Sequence, residues 1–242
     1  MATATAAQTK TLKVARRLPA EREPPIEHVV IRAVDWAYYE GLLALVGDRR
    51  SRRMTYDRGN LEIMAPSWNH EWWAARLDRI ILGVTEVLDV PLLSGRSTTF
   101  RRETLDGGLE PDRCYYITNA HRMVGRRELD FSVDPPPDLA IEVDFTSRSI
   151  DRLSIYAAIG VAEVWRWDAE GIHVYHLRQS AHGPEFLEAE QSLNIPALPV
   201  DRVVDFVIEN QSSTDQQLIR AARAWAAGGF PGAGDPPPPA IN

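Results

Sequence analysis

Apolar residues recur along this chain at helical spacing in some stretches and in strict alternation in others. Val29–Ile31 is apolar enough for a short strand. Asp35 then stands as the N-cap of a helix through about Val46, with Trp36, Tyr39, Leu42, Leu43 and Val46 on one stripe and Gly47 closing it. Arg53–Tyr56 and Leu61–Met64 flank Asp57-Arg58-Gly59-Asn60, the signature of a hairpin. Ser67 caps a long helix to about Leu88, whose apolar stripe includes Trp73, Leu77, Ile80, Ile81, Val84 and Leu88. Leu92–Ser94 and Ser97–Arg101 form strands around a Gly95-Arg96 turn, and Asp106-Gly107-Gly108 is a loop. Arg113–Ile117 is β-rich, and the polar segment from Asn119 to Asp134 is a connection. Ser149 caps a helix ending at Ile159 before Gly160. Glu163–Trp167 and Ile172–Leu177 make a further hairpin with Phe186–Glu190 at its edge, and helices follow at Val200–Ile208 and Gln216–Ala227.

One strand carries a residue that does not suit it. Leu139–Val143 is a short apolar run of the kind buried in a sheet, yet it contains Glu142. The two-residue period puts Leu139, Ile141 and Val143 on one side and Ala140, Glu142 and Asp144 on the other. An ionised carboxylate in that position costs several kcal/mol, roughly, unless it is compensated. A bound cation is one compensation, and Pro111-Asp112 enters the neighbouring β-rich run. If the two strands are neighbours, Asp112 and Glu142 converge on one hard metal ion.

Arg152 falls in the first turn of the helix that follows, which sets a positive charge above the two acids. Two acids, a divalent metal and a fixed cation are the parts of a phosphodiesterase: the metal lowers the pKa of a bound water, and the cation stabilises the extra charge of an in-line transition state. The structural alternatives are that Asp112 is a turn residue after Pro111 and that Glu142 pairs with Arg152 without metal. His70 and Glu71 lie in the first turn of the long helix, where a Glu either complements the helix dipole or reaches the site.

The chain of 242 residues is long enough to bury a core unaided. Its one cysteine, Cys114, excludes an internal disulfide and fits the reducing cytoplasm. Met1–Lys10 has no apolar core of a signal peptide, and no run reaches membrane-spanning length. The net charge of −7 argues against a dedicated non-specific nucleic-acid binder but leaves room for local basic patches. The run Arg49-Arg50-Ser51-Arg52-Arg53 reads either as a solvated loop or as a phosphate-contacting patch.

The runs EPDRCYYI, PPPDLAIEVDFTSRS and IDRLSIYAAIGVAEVWRWD, taken in that order, resemble the Uma-two (Uma2) family of restriction endonucleases, a branch of the PD-(D/E)XK nuclease superfamily. The resemblance spans roughly residues 25–210. It implies an α/β (α+β) fold, restriction-endonuclease-like, with a mixed β-sheet flanked by helices. It also implies a Mg²⁺-dependent DNA endonuclease, with Mn²⁺ as a substitute metal. By the same resemblance, Asp112 matches the motif Asp, Glu142 the motif Glu, and Glu71 the helical acid, while the backbone carbonyl of Val143 supplies a further metal ligand. The superfamily's Lys lies two residues after the motif Glu, where this chain has Asp144; in the family it moves to a place four residues before the Tyr, where this chain has Arg152 before Tyr156. Arginine keeps the charge but does not give up a proton at ordinary pH, so transition-state stabilisation survives the exchange and proton abstraction does not.

The expected organisation is a flexible arm over residues 1–25, the nuclease-like domain over 26–210 with hairpin and helix additions, a C-terminal helix over 211–227 and a disordered tail over 228–242. The leading functional expectation is a DNA endonuclease with no membrane partner, for which a homodimer would supply two cuts. The alternatives are a catalytically impaired nuclease fold that binds nucleic acid or protein, and an interaction domain whose acids pair internally. Whether His70 or Asp144 joins the site stays open at this level.

Overall fold

The computed structural model describes residues 28–47, 52–127, 129–131, 133–144 and 150–232. Two sheets form among them. The first has five antiparallel strands in the order β1-β3-β2-β6-β5: β1 (His28–Arg32), β2 (Arg53–Asp57), β3 (Asn60–Met64), β5 (Phe100–Arg102) and β6 (Gly107–Leu109). The second has six strands, ordered β11-β10-β9-β8-β7-β4: β4 (Leu93–Ser94), β7 (Arg113–Tyr116), β8 (Leu139–Val143), β9 (Glu163–Asp168), β10 (Gly171–Ser180) and β11 (Gly183–Ala189). It is mixed, because β8 and β9 run parallel while the other pairs are antiparallel. A parallel pair needs a crossover, and α4 (Arg152–Ile159) provides it.

The remaining helices are α1 (Trp36–Val46), α2 (Trp68–Val87), α3 (Ala120–Met123), α5 (Val200–Glu209) and α6 (Asp215–Ala227). α1 lays Tyr39, with Trp36, Leu42, Leu43 and Val46, against Met54, Tyr56 and Leu61 of the five-stranded sheet. α2, α5 and α6 bury Leu77, Ile80, Val84, Val203, Phe206, Leu218 and Trp225 against one face of the six-stranded sheet, where Leu139, Ile141, Val143, Trp165 and Trp167 point. α6 approaches α2 closely at Gly83, where a Cβ would lie 3.1 Å from the Ala222 Cβ. Its Thr214 caps it in a reciprocal capping box with Gln217. α4 covers the opposite face with Ile155, Tyr156 and Ile159, against Ala140 and Val164 and against Phe100 and Leu109 of the other sheet. β8 is therefore buried on both faces, as a central strand of a mixed sheet should be.

Several local expectations change. The expected α/β (α+β) fold, a mixed sheet flanked by helices, is present, with the N-terminal hairpin extended into a second, five-stranded sheet; β4 and β5 belong to different sheets instead of forming a hairpin. The chain leaves β4 through Gly95, whose N–H bonds the Cys114 carbonyl at 2.8 Å, and crosses to the five-stranded sheet. Gly107 and Gly108 are not loop residues but pair as strand with Tyr56 and Asp57. The polar connection after Asn119 contains the short helix α3. Asp151, not Ser149, caps α4: its side chain accepts the Leu153 N–H at 3.1 Å, and Gly160 ends the helix in the left-handed region at φ 94°. Ser149, the run Arg49–Ser51, the N-terminal arm and the tail from residue 233 lie outside the described residues. Among those described, no helix is long and apolar enough to cross a membrane.

Candidate active site

The pairing of β7 with β8 is what positions the acids. Arg113 stands opposite Ile141, so one further step of the register sets Asp112 opposite Glu142. Residues directly opposite in an antiparallel pair project to the same face. Asp112 is wholly buried and Glu142 nearly so, at 0% and 4% exposed. The Val143 N–H donates to Asp112 Oδ2 at 2.6 Å, tying the two strands at this point.

Each acid meets a guanidinium. Arg152, the first residue of α4, lies 2.8 Å from Glu142 Oε1. It also donates to the Glu110 carbonyl and to Thr55 Oγ1 on β2, so its fork is fixed from three sides. Tyr156, one turn along α4, donates its hydroxyl to the same Glu142 oxygen. On the other side, Arg53 of β2 contacts Asp112 Oδ1 and reaches on to Glu71 Oε1. His70 Nε2 stands 3.1 Å from Asp112 Oδ2. Arg113 approaches Glu71 Oε2 at 3.8 Å. Glu71 is the open edge of the site: its side chain is 42% exposed, against 7% for Arg53.

Electrostatics follow from this packing. Burial lowers the pKa of Arg53, while Glu71 and Glu142 hold it up. Burial also works against the charge of Arg152, but Glu142, Tyr156 and Glu62 outweigh it and keep that guanidinium above its ordinary value. Burial, then the Glu142 charge, pushes the Tyr156 hydroxyl well above the usual tyrosine range, so it stays a donor.

The structure thus brings Asp112, Glu142, Val143 and Arg152 into one cluster and links Glu71 to it through Arg53. Asp144 is half-buried, and its N–H bonds the Trp167 carbonyl at 2.6 Å. His70, which the sequence leaves open, stands beside Asp112, and Arg53, Thr55, Glu62 and Tyr156 complete the surroundings beyond the residues that the sequence nominates. The signal for three of them is the strand period: Arg53, Thr55 and Asp57 share one face of β2, and Glu62 stands opposite Thr55 on β3. Arg53 belongs to the basic run but points inward, so neither a solvated loop nor an exposed patch describes it.

The donor set suits a hard divalent cation in kind: carboxylate oxygens from paired strands and a backbone carbonyl beside them. Among the described residues, no group of three or more His, Cys, Asp or Glu side chains is placed to hold a metal ion. The charge that such an ion would neutralise is met here by Arg53 and Arg152.

The Uma2 family model, described as "putative restriction endonuclease", matches residues 36–206, which include every residue of the cluster. The chain belongs to the Uma2 family. Among solved structures it is similar to a protein from Anabaena variabilis described as "a putative nuclease belonging to DUF820", at 16% identity, over 70% of this chain and 90% of that one, with a TM-score of 0.38. Nothing among curated proteins matches it.

Proposed function

We propose that this Uma2 protein is a divalent-metal-dependent endonuclease that hydrolyses DNA phosphodiester bonds in the cytoplasm. The observation that carries the reading is two buried acids where β7 and β8 meet, Asp112 held by the Val143 N–H and Glu142 next in the chain to Val143, with Arg152 locked beside Glu142. Asp112, Glu142 and the Val143 carbonyl would hold Mg²⁺ or Mn²⁺, with Glu71 assisting from the open edge. When bound, such an ion activates water and neutralises phosphate charge.

The protein's own residues do the remaining work. Val143 N–H and His70 fix the orientation of Asp112. Tyr156 and Arg152 fix Glu142, and Arg152 supplies positive charge for the developing transition state. Arg152 cannot act as the general base, because a guanidinium this strongly charged holds its proton. Trp68 opens α2 three residues before Glu71 and is 82% exposed, so an unstacked base has a platform beside the acids. A second copy of the chain would provide the second active site for a double-strand cut.

Plasmid cleavage with Mg²⁺ or Mn²⁺, run beside Glu142→Gln and Asp112→Asn, tests this directly. Cleavage by the native chain and its loss in both variants is the expected result; undiminished cleavage in both removes these acids from the chemistry. A second reading, a nuclease fold that binds nucleic acid without cutting it, draws on the two arginines that already satisfy the acids. It expects salt-sensitive DNA retention with no cleavage in any metal.

A further inference from the structure

The two guanidinium groups of the site are held in different ways. Arg152 is bound to a carboxylate, a backbone carbonyl and a hydroxyl, on three separate elements. Arg53 contacts two carboxylates, the wholly buried Asp112 and Glu71 at the open edge of the cluster. Asp112 does not depend on Arg53 for its orientation, because Oδ2 is anchored by the Val143 N–H at 2.6 Å and by His70 at 3.1 Å. Its other oxygen, Oδ1, is the one that Arg53 takes. Glu71 has another cation within reach, Arg113 at 3.8 Å. Removing the Arg53 head group from this bridge would therefore leave both acids in place, oriented, with an oxygen each turned to the same point.

We propose that Arg53 is a built-in counter-cation of the metal position. In the metal-free protein its guanidinium bridges Asp112 and Glu71; a divalent ion competes for those same oxygens and displaces it. This rests on the nuclease reading of the site and adds a regulator to it. The bridge lets a buried acid fold before any metal arrives, since a carboxylate at 0% exposure needs either a compensating charge or a full set of neutral donors, and at Asp112 Arg53 supplies the charge. It also sets the metal affinity, because each ion bound must first displace an ion pair. The displaced head group, carried on β2 with Thr55, remains at the edge of the site, where it meets an incoming phosphate as a forked donor.

The test is calorimetric titration of MnCl₂ into the metal-free native chain and into Arg53→Gln, Arg53→Lys and Glu142→Gln. Arg53→Gln is expected to bind Mn²⁺ at least about tenfold more tightly than the native chain, since a full charge in contact with the ligands is gone. Arg53→Lys, whose single ammonium cannot span both acids as a fork does, should fall between. Glu142→Gln should lose the binding. Equal or weaker Mn²⁺ binding in Arg53→Gln, with Glu142→Gln still defective, overturns the competition and leaves the nuclease reading standing. No Mn²⁺ binding in the native chain and in either Arg53 variant overturns both. If Arg53→Gln does not fold in chelator, its circular dichroism with and without Mn²⁺ decides: folding restored by the ion supports the proposal, and folding that the ion does not restore, together with native-like affinity in Arg53→Lys, sinks it.

Discussion

Replacing Arg152 by Met is the perturbation that probes the site most directly, since it removes a charge while keeping much of the side-chain volume. Glu142 is 4% exposed, and Arg152 Nη2 lies 2.8 Å from its Oε1. Losing that partner strands a carboxylate among Ala140, Tyr156 and the β-sheet backbone. Breaking a buried pair on one side costs about 3–5 kcal/mol. For a chain of this size each kcal/mol lowers Tm by about 2–4 °C, so the expected fall is about 6–20 °C. The double variant Arg152→Met/Glu142→Gln removes the stranded charge as well and should recover part of the loss, with a coupling of about 1–3 kcal/mol. Urea unfolding in chelator, followed by fluorescence of the buried Trp165 and Trp167, measures both. Strictly additive losses in the double variant would refute the claim that Arg152 compensates Glu142.

Other outcomes follow from single contacts. Trp68→Ala should weaken binding of single-stranded DNA by roughly 5- to 150-fold, the range of one lost base stack, while Tm stays within about 1 °C because the ring is exposed; a gel-shift titration beside a thermal melt reads both. Glu163→Gln should destabilise the fold by about 2 kcal/mol or more, because its carboxylate accepts from Trp165 Nε1, Asn194 Nδ2 and the Leu193 and Asn194 N–H groups at 2.6–3.1 Å, while Mn²⁺ binding by the folded fraction is unchanged. Burial pushes the Cys114 thiol up to about 12, so at about pH 8 iodoacetamide should label the native chain some three orders of magnitude more slowly than the urea-unfolded chain; equal rates would place the thiol at the surface.

The parts of the site legible in the sequence are those that local periodicity controls. The apolar run Leu139–Val143 announced a buried strand, and its alternation put Glu142 on the face opposite Ile141, which is where the two cores divide. Asp35, Ser67 and Gly160 marked helix ends because caps act within one turn. What the sequence hid is non-local. The Ser97–Arg101 segment reads as the return strand of a hairpin, yet Phe100 pairs with Leu109 in the other sheet, a choice made by long-range packing. Arg53 ends a run of basic residues, and nothing in that run says which of them turns inward; the answer comes from α2 and β7, which bring Glu71 and Asp112 to meet it. Ser149 reads as a cap by composition, but α4 begins at Arg152, so Asp151, an equally good capping residue, takes the role.

Four of the buried acids of the six-stranded sheet and its flanks divide into two kinds, and the division argues for where the chemistry lies. Asp138 accepts from the Ile117 and Asn119 N–H groups and from Asn119 Nδ2, at 2.7–3.0 Å, and Glu163 is held the same way by amide and indole donors. Neutral donors fixed in the backbone satisfy a carboxylate permanently, and such acids staple loops to the sheet. Asp112 and Glu142 each accept a neutral donor, the Val143 N–H and the Tyr156 hydroxyl, but both are also met by full positive charges on long side chains. A buried ion pair is a poor means of stabilising a fold, since apolar residues of the same volume do as well or better. Two such pairs side by side on opposed strands are therefore poorly explained by folding alone. They fit the proposed site, in which the acids would stay put, Arg152 would remain on Glu142, and Arg53 would give way to a metal ion at Asp112.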